Sequence, residues 1–347
     1  MKWLKWPLFP FALIFWIITS IRNWLFDNKI IKPTSFSIPI INVGNITMGG
    51  TGKTPHTEYL IKLLKSKFEI AILSKGYGRK TKDFSYVNTN NKPDEVGDES
   101  LQIKNNFNDV VVAVDHNRVN GVLSILDDFP KLDSIILDDS YQHRKIDPGF
   151  NILLSDYNNP FHQDLIFPLG YLRESKNNSS RSDLLIVSKC PNNLTIEQAR
   201  VFKKEIKYKK DIFFSTIKYR KVHHIFDKNI VDLKTIKNLV LVTGIAYPNE
   251  LIKFIKSFDI NYKHLNFRDH YAYKEKDASE IIEIFNNFAN DDKIILTTQK
   301  DAEKLKLLKS FENYPLYCID IEIDFIWNKN KFDKKILDYV NHHQSNR

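Results

Sequence analysis

Residues 41–60 read INVGNITMGGTGKTPHTEYL. Apolar, mostly β-branched residues run into a glycine cluster, then into Lys53-Thr54, then into a segment whose apolar residues recur at helical spacing. A strand, a glycine loop and a helix in that order form a setting where backbone N–H groups can cradle phosphates. Gly49, Gly50 and Gly52 let the backbone approach an anion closely. Lys53 can reach the β- and γ-phosphates, and Thr54 can offer its hydroxyl to Mg2+. The candidate nucleotide loop is therefore Gly49, Gly50, Thr51, Gly52, Lys53 and Thr54. The strict Walker A spacing asks for glycine at position 47, where this chain has Thr47. The competing reading is a tight glycine turn with Lys53 merely solvated.

A nucleotide loop of this kind pairs with an acidic residue at the end of a neighbouring strand. SIILDDSYQ supplies Asp138 and Asp139 directly after apolar residues, as candidate metal ligands alongside Thr54. A lone aspartate there would read as a helix N-cap. Two in tandem after such a strand favour metal, and the spacing does not choose between them. A guanine-reading N/T-K-x-D motif is not evident. VSKCP has Pro191 where the aspartate should stand, and TTQKDAEK puts Asp301 directly after Lys300. The chain thus reads as a user of ATP rather than a GTPase switch.

Outward from the loop, strand and helix patterns alternate. FSIPIINVG, EIAIL, DVVVAVD, LDSIILDD, FNILLSDY and SDLLIVS are short apolar runs of the kind that fill a parallel sheet covered on both faces. After a charged stretch near residues 190–235 the alternation resumes in LVLVTGIAYPNELIKFIKSF and KIILTTQKDAEKLK. The expected class is α/β: a P-loop NTPase-like, mostly parallel sheet with helices on both faces, plus a smaller C-terminal α/β domain and an N-terminal membrane-associated helix. The expected boundaries are 1–32 for the membrane helix, 33–225 for the P-loop core and 226–347 for the smaller domain. A length of 347 residues suits two such domains.

Four of the five tryptophans lie in the first 26 residues, and no residue from Trp6 to Ile21 is charged. Sixteen helical residues reach about 24 Å, short of the ~30 Å hydrocarbon core. Pro7 and Pro10 interrupt the start of the run, and no small-residue cleavage site follows it. An interfacial anchor is favoured over a span, a signal peptide or a helix buried in the protein's own core. Trp3, Trp6, Trp16 and Trp24 suit the headgroup level, and Lys2, Lys5, Arg22, Lys29 and Lys32 suit anionic lipid. The net charge of +9 fits an anionic partner or plain solubility. Nucleic acid is not expected, since no zinc-finger spacing or RNA-binding aromatic signature is evident. Cys190 and Cys318 form no disulfide framework and no evident metal-ligand pattern, which suits a reducing compartment.

Several segments together resemble the tetraacyldisaccharide 4'-kinase family, the lipid A 4'-kinases: VGNITMGGTGKTP, SKGYGR, VGDE, LDDSYQHR, FPLGYLRES, VSKCP, VTGIAYP, FRDHYAY and QKDAEK, in order between about residues 40 and 305. The resemblance implies transfer of the γ-phosphate of ATP to the 4'-hydroxyl of tetraacyldisaccharide 1-phosphate, an acylated glucosamine disaccharide phosphate lipid, giving lipid IVA. It implies two α/β domains with the nucleotide between them, at the cytoplasmic face of the inner membrane. It also implies residue roles. Asp98 would be the base, with His270 orienting and tuning it. Lys53 and Arg173 would be catalytic, Arg173 neutralising charge on the transferring phosphate. Glu174 would support Mg2+, joining Thr54, Asp138 and Asp139. Arg118 and Arg181 are further anion-contact candidates, and Tyr77 and Arg79 would lie near the nucleotide or sugar phosphate. His143 reads as structural. Ser140-Tyr141 replaces the more usual Gly-Phe of the family, which raises a question about the backbone there. Two other readings remain: a P-loop nucleotide-dependent regulatory or binding module, and a kinase of a soluble sugar. Neither explains the apolar amino terminus.

Overall fold

The computed structural model describes residues 7–289 and 291–344. Lys2, Trp3, Lys5 and Trp6 lie outside the described residues. The elements follow in chain order: α1 (Phe9–Asp27), β1 (Thr34–Asn45), α2 (Lys53–Leu64), β2 (Ile70–Ser74), β3 (Ser85–Tyr86), α3 (Pro93–Val96), α4 (Asp98–Asn106), β4 (Val111–Val114), α5 (Arg118–Asp128), β5 (Ser134–Asp138), β6 (Ile146–Asp156) and β7 (Leu184–Ser188). Then come α6 (Ile196–Ile206), β8 (Asp211–His224), β9 (Ile230–Val231), β10 (Asn238–Thr243), α7 (Asn249–Ile255), β11 (Asn261–Asn266), α8 (Glu275–Asn286), β12 (Lys293–Thr298), α9 (Gln299–Leu305), β13 (Leu316–Phe325) and α10 (Lys329–Gln344).

One sheet runs through the whole molecule in the order β11-β10-β12-β13-β8-β7-β6-β1-β5-β2-β4-β3, with β9 on β8. From β7 to β4 every pairing is parallel, as is every pairing from β11 to β13. The two parallel halves meet where β8 and β13 pair antiparallel. Central strands are buried along nearly their full length, which is why they read as continuous apolar runs rather than alternating ones.

The expected division at residue 225 is less clean in three dimensions. β8 pairs with β7 through Asp211–Phe214 and with β13 from Ser215 onward, so the junction falls inside one strand. The last residues also return. Ile323, Phe325, Phe332, Ile336 and Val340 fill the same core as Ile41, Leu60 and Ile152 of the first lobe. The second lobe's own cores are built on Val240, Ile281 and Leu305 on one face and Leu239, Ile255 and Leu296 on the other.

α1 is not buried in the protein core. Ala12, Asn23 and Phe26 are buried, while Phe11, Ile14, Trp16, Ile18, Ile21 and Trp24 lie on the surface. Its C-terminal half is nonetheless docked. Asn23 Nδ2 donates to Glu174 Oε2 (2.9 Å), Arg144 bridges Asn23 O (2.9 Å) and Asp27 (2.8 Å), and Phe15 meets Phe167 edge-on at 5.7 Å. Arg22, expected to face lipid, instead points back and donates to Gln142 O (3.1 Å).

Candidate active site

β1 lies between β5 and β6, so the loop that follows it stands beside the end of β5. Gly52 caps α2 with φ at 84°, a left-handed conformation that suits glycine. The loop is held from several sides. Asn45 Nδ2 donates to Thr51 Oγ1 (2.9 Å), Ser188 Oγ donates to Thr51 O (2.7 Å), and Lys189 Nζ contacts Gly50 O. His56 locks the first turn of α2. Its Nδ1 donates to Gly52 O (2.6 Å), so its Nε2 accepts from Ser215 Oγ (2.9 Å). Burial pushes the His56 pKa down to about 4, so the ring stays neutral.

Asp138 ends β5 opposite Val43 and accepts from Thr57 Oγ1 of α2 (3.0 Å). Asp139 follows in the left-handed region (φ 51°). The left-handed residue is thus Asp139, not Ser140, so the Ser140-Tyr141 replacement strains nothing, and Ser140 Oγ accepts from Arg118 Nε (2.8 Å). Asp139 faces Lys53 Nζ (3.5 Å) and Arg173 Nη1 (3.3 Å). Burial and the neighbouring Asp139 carboxylate push Asp138 up to about 7. Burial alone would also raise Asp139, but Lys53, Arg173 and Arg118 hold it below the usual carboxylate range. Buried Asp138 and partly exposed Asp139, adjacent carboxylates that resist joint ionisation, with the Thr54 hydroxyl close in sequence, are a hard oxygen donor set. They fit Mg2+.

Arg173 reaches this group because FPLGYLRE lies along the start of the loop. Met48 N donates to Tyr171 O (2.7 Å) and Arg173 N to Ile46 O (2.8 Å). Glu174, expected to support the metal, has another occupation. It is 1% exposed, and both its oxygens are taken by Asn23, Gln142, Asn178 and a bidentate Arg181, all at 2.9 Å. A saturated carboxylate has no lone pair left to offer an ion, so Glu174 and Arg181 tie α1 to the core instead.

Asp98 opens α4 and His270 sits in the loop after β11, with φ at 57°. The lobes bring them together: His270 Nδ1 lies 3.1 Å from Asp98 Oδ2 and 3.3 Å from Oδ1. Two lysines that the sequence reading passed over complete the group. Lys304 Nζ is 2.7 Å from Asp98, while Lys300 Nζ lies 3.2 Å from Glu99, 2.8 Å from Asp269 and 3.0 Å from His270 Nε2. Both come from QKDAEK on α9, four residues apart and so on one helix face. Burial would raise the Asp98 carboxyl, but His270, Lys300 and Lys304 hold it far below the usual carboxylate range. Burial opposes charge on His270, yet the Asp98 hydrogen bond and the Glu99 carboxylate outweigh it and raise its pKa. Tyr77 packs on the His270 ring with centroids 4.8 Å apart. Arg79 is spent on the carbonyls of Lys75, Lys82 and Asp83. Arg118 is almost fully buried, and its backbone N–H donates to His143 Nε2 (3.3 Å), which gives His143 a structural partner.

A cavity of about 250 Å³ opens at the ends of β6 and β7 beside the loop, lined by Gly49, Asp156, Asn158, Gln163 and, from the second lobe, Tyr247. Lys189 closes one side, paired with Asp156 (2.9 Å) and set over the Tyr247 ring (4.9 Å).

A glycine loop on a parallel sheet, two strand-end aspartates and an acid–histidine pair supplied by two lobes define a P-loop phosphotransferase. The model of the tetraacyldisaccharide-1-P 4'-kinase family matches residues 4–341, and the chain belongs to that family. A tetraacyldisaccharide 4'-kinase of Flavobacterium johnsoniae is 42% identical, with 98% of each chain covered. One from Phocaeicola vulgatus is 38% identical over 99% of this chain and 96% of its own length. The crystal structure of the "apo" form of LpxK from Aquifex aeolicus in complex with ATP superposes with a TM-score of 0.75 at 26% identity, covering 97% of this chain and 99% of that one.

Proposed function

We propose that the chain transfers the γ-phosphate of ATP to the 4'-hydroxyl of tetraacyldisaccharide 1-phosphate, working at a membrane surface. The observation that carries this is the joining of two halves: Asp98 of the first lobe on His270 of the second, next to a phosphate loop. Glu99, beside Asp98, adds a little to the raised Asp138 pKa, which puts the two groups within electrostatic reach of each other. In this reading the triphosphate lies along Gly49–Thr54, with Lys53 on the β- and γ-phosphates and the base in the cavity by Tyr247. Arg173 stands beside Asp139 to neutralise charge on the phosphoryl group in flight. Thr54, Asp138 and Asp139 would hold Mg2+, which supplies further neutralisation of phosphate charge.

A sugar hydroxyl gives up its proton late in transfer. Asp98 alone would be a feeble acceptor, because its lysine and histidine neighbours depress its pKa. With His270 as partner, the pair can take the proton and keep it, since the ring's pKa is raised by the same contacts. Lys300 and Lys304 position the pair from α9. The sign of the pH dependence follows. As pH falls, His270 becomes charged, the pair has no room for another proton, and kcat/KM drops along a limb lying above the ordinary histidine value of about 6.5. Glu99→Gln removes one of the charges that raise it and should move that limb to lower pH. A limb unmoved in Glu99→Gln would show that His270 is not its origin.

The acyl chains call for an apolar approach. The exposed face of α1 continues onto Leu165, Phe167 and Tyr171, which are also exposed, through the Phe15–Phe167 contact. Lys29 and Lys32 lie exposed at the end of the helix, where anionic headgroups would meet them. α1 is long and apolar enough to cross a bilayer. Its docked C-terminal half favours an in-plane anchor at the cytoplasmic face of the inner membrane. Ile14 and Ile18 are one turn apart and exposed. Burying each in lipid contributes about 1.5–3 kcal/mol, so Ile14→Glu/Ile18→Glu should weaken sedimentation with anionic vesicles by about a hundredfold or more. ATP affinity should stay as it was. Undiminished vesicle binding would remove the anchor.

The reaction itself is tested with labelled ATP, Mg2+ and tetraacyldisaccharide 1-phosphate in detergent. A labelled bisphosphate product is expected, and its absence from active, ATP-binding protein would defeat the proposal.

A further inference from the structure

The second lobe carries a group of ligating side chains that the kinase site does not use. Cys318 of β13 pairs directly across the sheet with His223 of β8. Side chains alternate along a strand, so Asp320, two residues on, falls on the same face as Cys318. The register shifts between Ile319 and Ile321, where the extra residue lies on β8. Cys318 Sγ lies 3.2 Å from His223 Nε2, and Asp320 Oδ1 lies 3.4 Å from His223 Nδ1. One donor atom from each of the three falls within 4.8 Å of the other two.

We propose that His223, Cys318 and Asp320 form a binding site for a thiophilic divalent cation of the zinc type, separate from the Mg2+ site of the kinase reaction. A thiolate, an imidazole nitrogen and a carboxylate are three protein ligands for a four-coordinate ion, with water as the fourth. The sulfur decides the class of metal: Mg2+ prefers an all-oxygen shell, whereas zinc and cobalt accept the mixed set. The site is built rather than incidental. Cys318 is 3% exposed, the His223 side chain is mostly covered, and Asp320 forms the open side.

The neighbours set what binding requires. Lys228 Nζ is 3.2 Å from His223 Nε2, on an exposed side chain free to swing into water. Gln299 Nε2, at the start of α9, donates to Asp320 Oδ1 (2.7 Å) and must share or release it. Glu303 and Lys306 face the thiol from α9 and the turn after it. Burial pushes the Cys318 thiol up to about 12, so the ion must displace its proton: the S–H bond breaks, a sulfur–metal bond forms, and one proton leaves to solvent. Affinity therefore rises with pH.

Cobalt(II) titration of the full-length protein tests this. A thiolate-to-cobalt charge-transfer band in the near ultraviolet should appear and saturate at one ion per chain. Cys318→Ser should abolish it, and Cys190→Ala should leave it intact. His223→Ala and Asp320→Ala should each raise the cobalt needed for half-saturation by about tenfold or more. Zinc should bleach the band and Mg2+ should not. Circular dichroism of each variant shows that the fold persists. A band that survives Cys318→Ser, or no band in folded wild-type protein, would overturn the proposal.

Discussion

Asp98→Asn should bind ATP almost as well as the wild type and turn over about 10²–10⁴-fold more slowly. The asparagine is close in size and keeps an oxygen that Lys304 can still approach, so α4 and α9 should remain packed. What is lost is the carboxylate, and with it, in the proposed mechanism, the acceptor through which the sugar hydroxyl's proton enters the Asp98–His270 pair. Because that group meets the reacting atoms late in transfer, the loss falls on kcat rather than on nucleotide affinity. Steady-state kinetics with labelled ATP and an equilibrium ATP titration separate the two. Near-normal turnover in Asp98→Asn would mean that the proton leaves by another route.

Lys53→Ala should damage both steps. Lys53 faces Asp139 from the first residue of α2, in the position from which it can turn onto the β- and γ-phosphates. In the proposed mechanism its charge meets the triphosphate in the ground state and again as charge shifts in transfer. Removing one preorganised stabilising group of this kind costs about 10²–10³ in kcat, and ATP affinity should fall by about tenfold, or ~1.4 kcal/mol. The contrast matters more than either number: Asp98→Asn separates turnover from binding, and Lys53→Ala lowers both. Unchanged ATP affinity in Lys53→Ala would remove the nucleotide from the Gly49–Thr54 loop.

Local chemistry was legible where one short segment contains all of it. Gly49 to Thr54 can be read in line because a phosphate loop is made by consecutive residues, and its strand and helix stand where the apolar pattern puts them. Asp138 and Asp139 announce themselves because they end an apolar strand. Glu174 misled for the opposite reason. Its neighbour Arg173 does reach Asp139, but the chain bends there, and Glu174 turns toward α1 and is saturated. Arg22 misled likewise, since a helix shows one face to lipid and another to the protein. Lys300 and Lys304 were in view within QKDAEK, but nothing in that segment reveals that it faces residue 98.

The sequence by itself determined the α/β alternation, the glycine loop between β1 and α2, the strand-end aspartates and the apolar amino terminus, because each is a property of near neighbours along the chain. Only the tertiary structure decided which distant residues meet: Asp98 with His270 and Lys304, Glu174 with α1, the last helix with the first lobe's core, and His223 with Cys318. Those contacts depend on how β8 bridges two parallel half-sheets and on the register in which β13 pairs with it. Strand order and register are set by the packing of whole faces, so no local pattern specifies them.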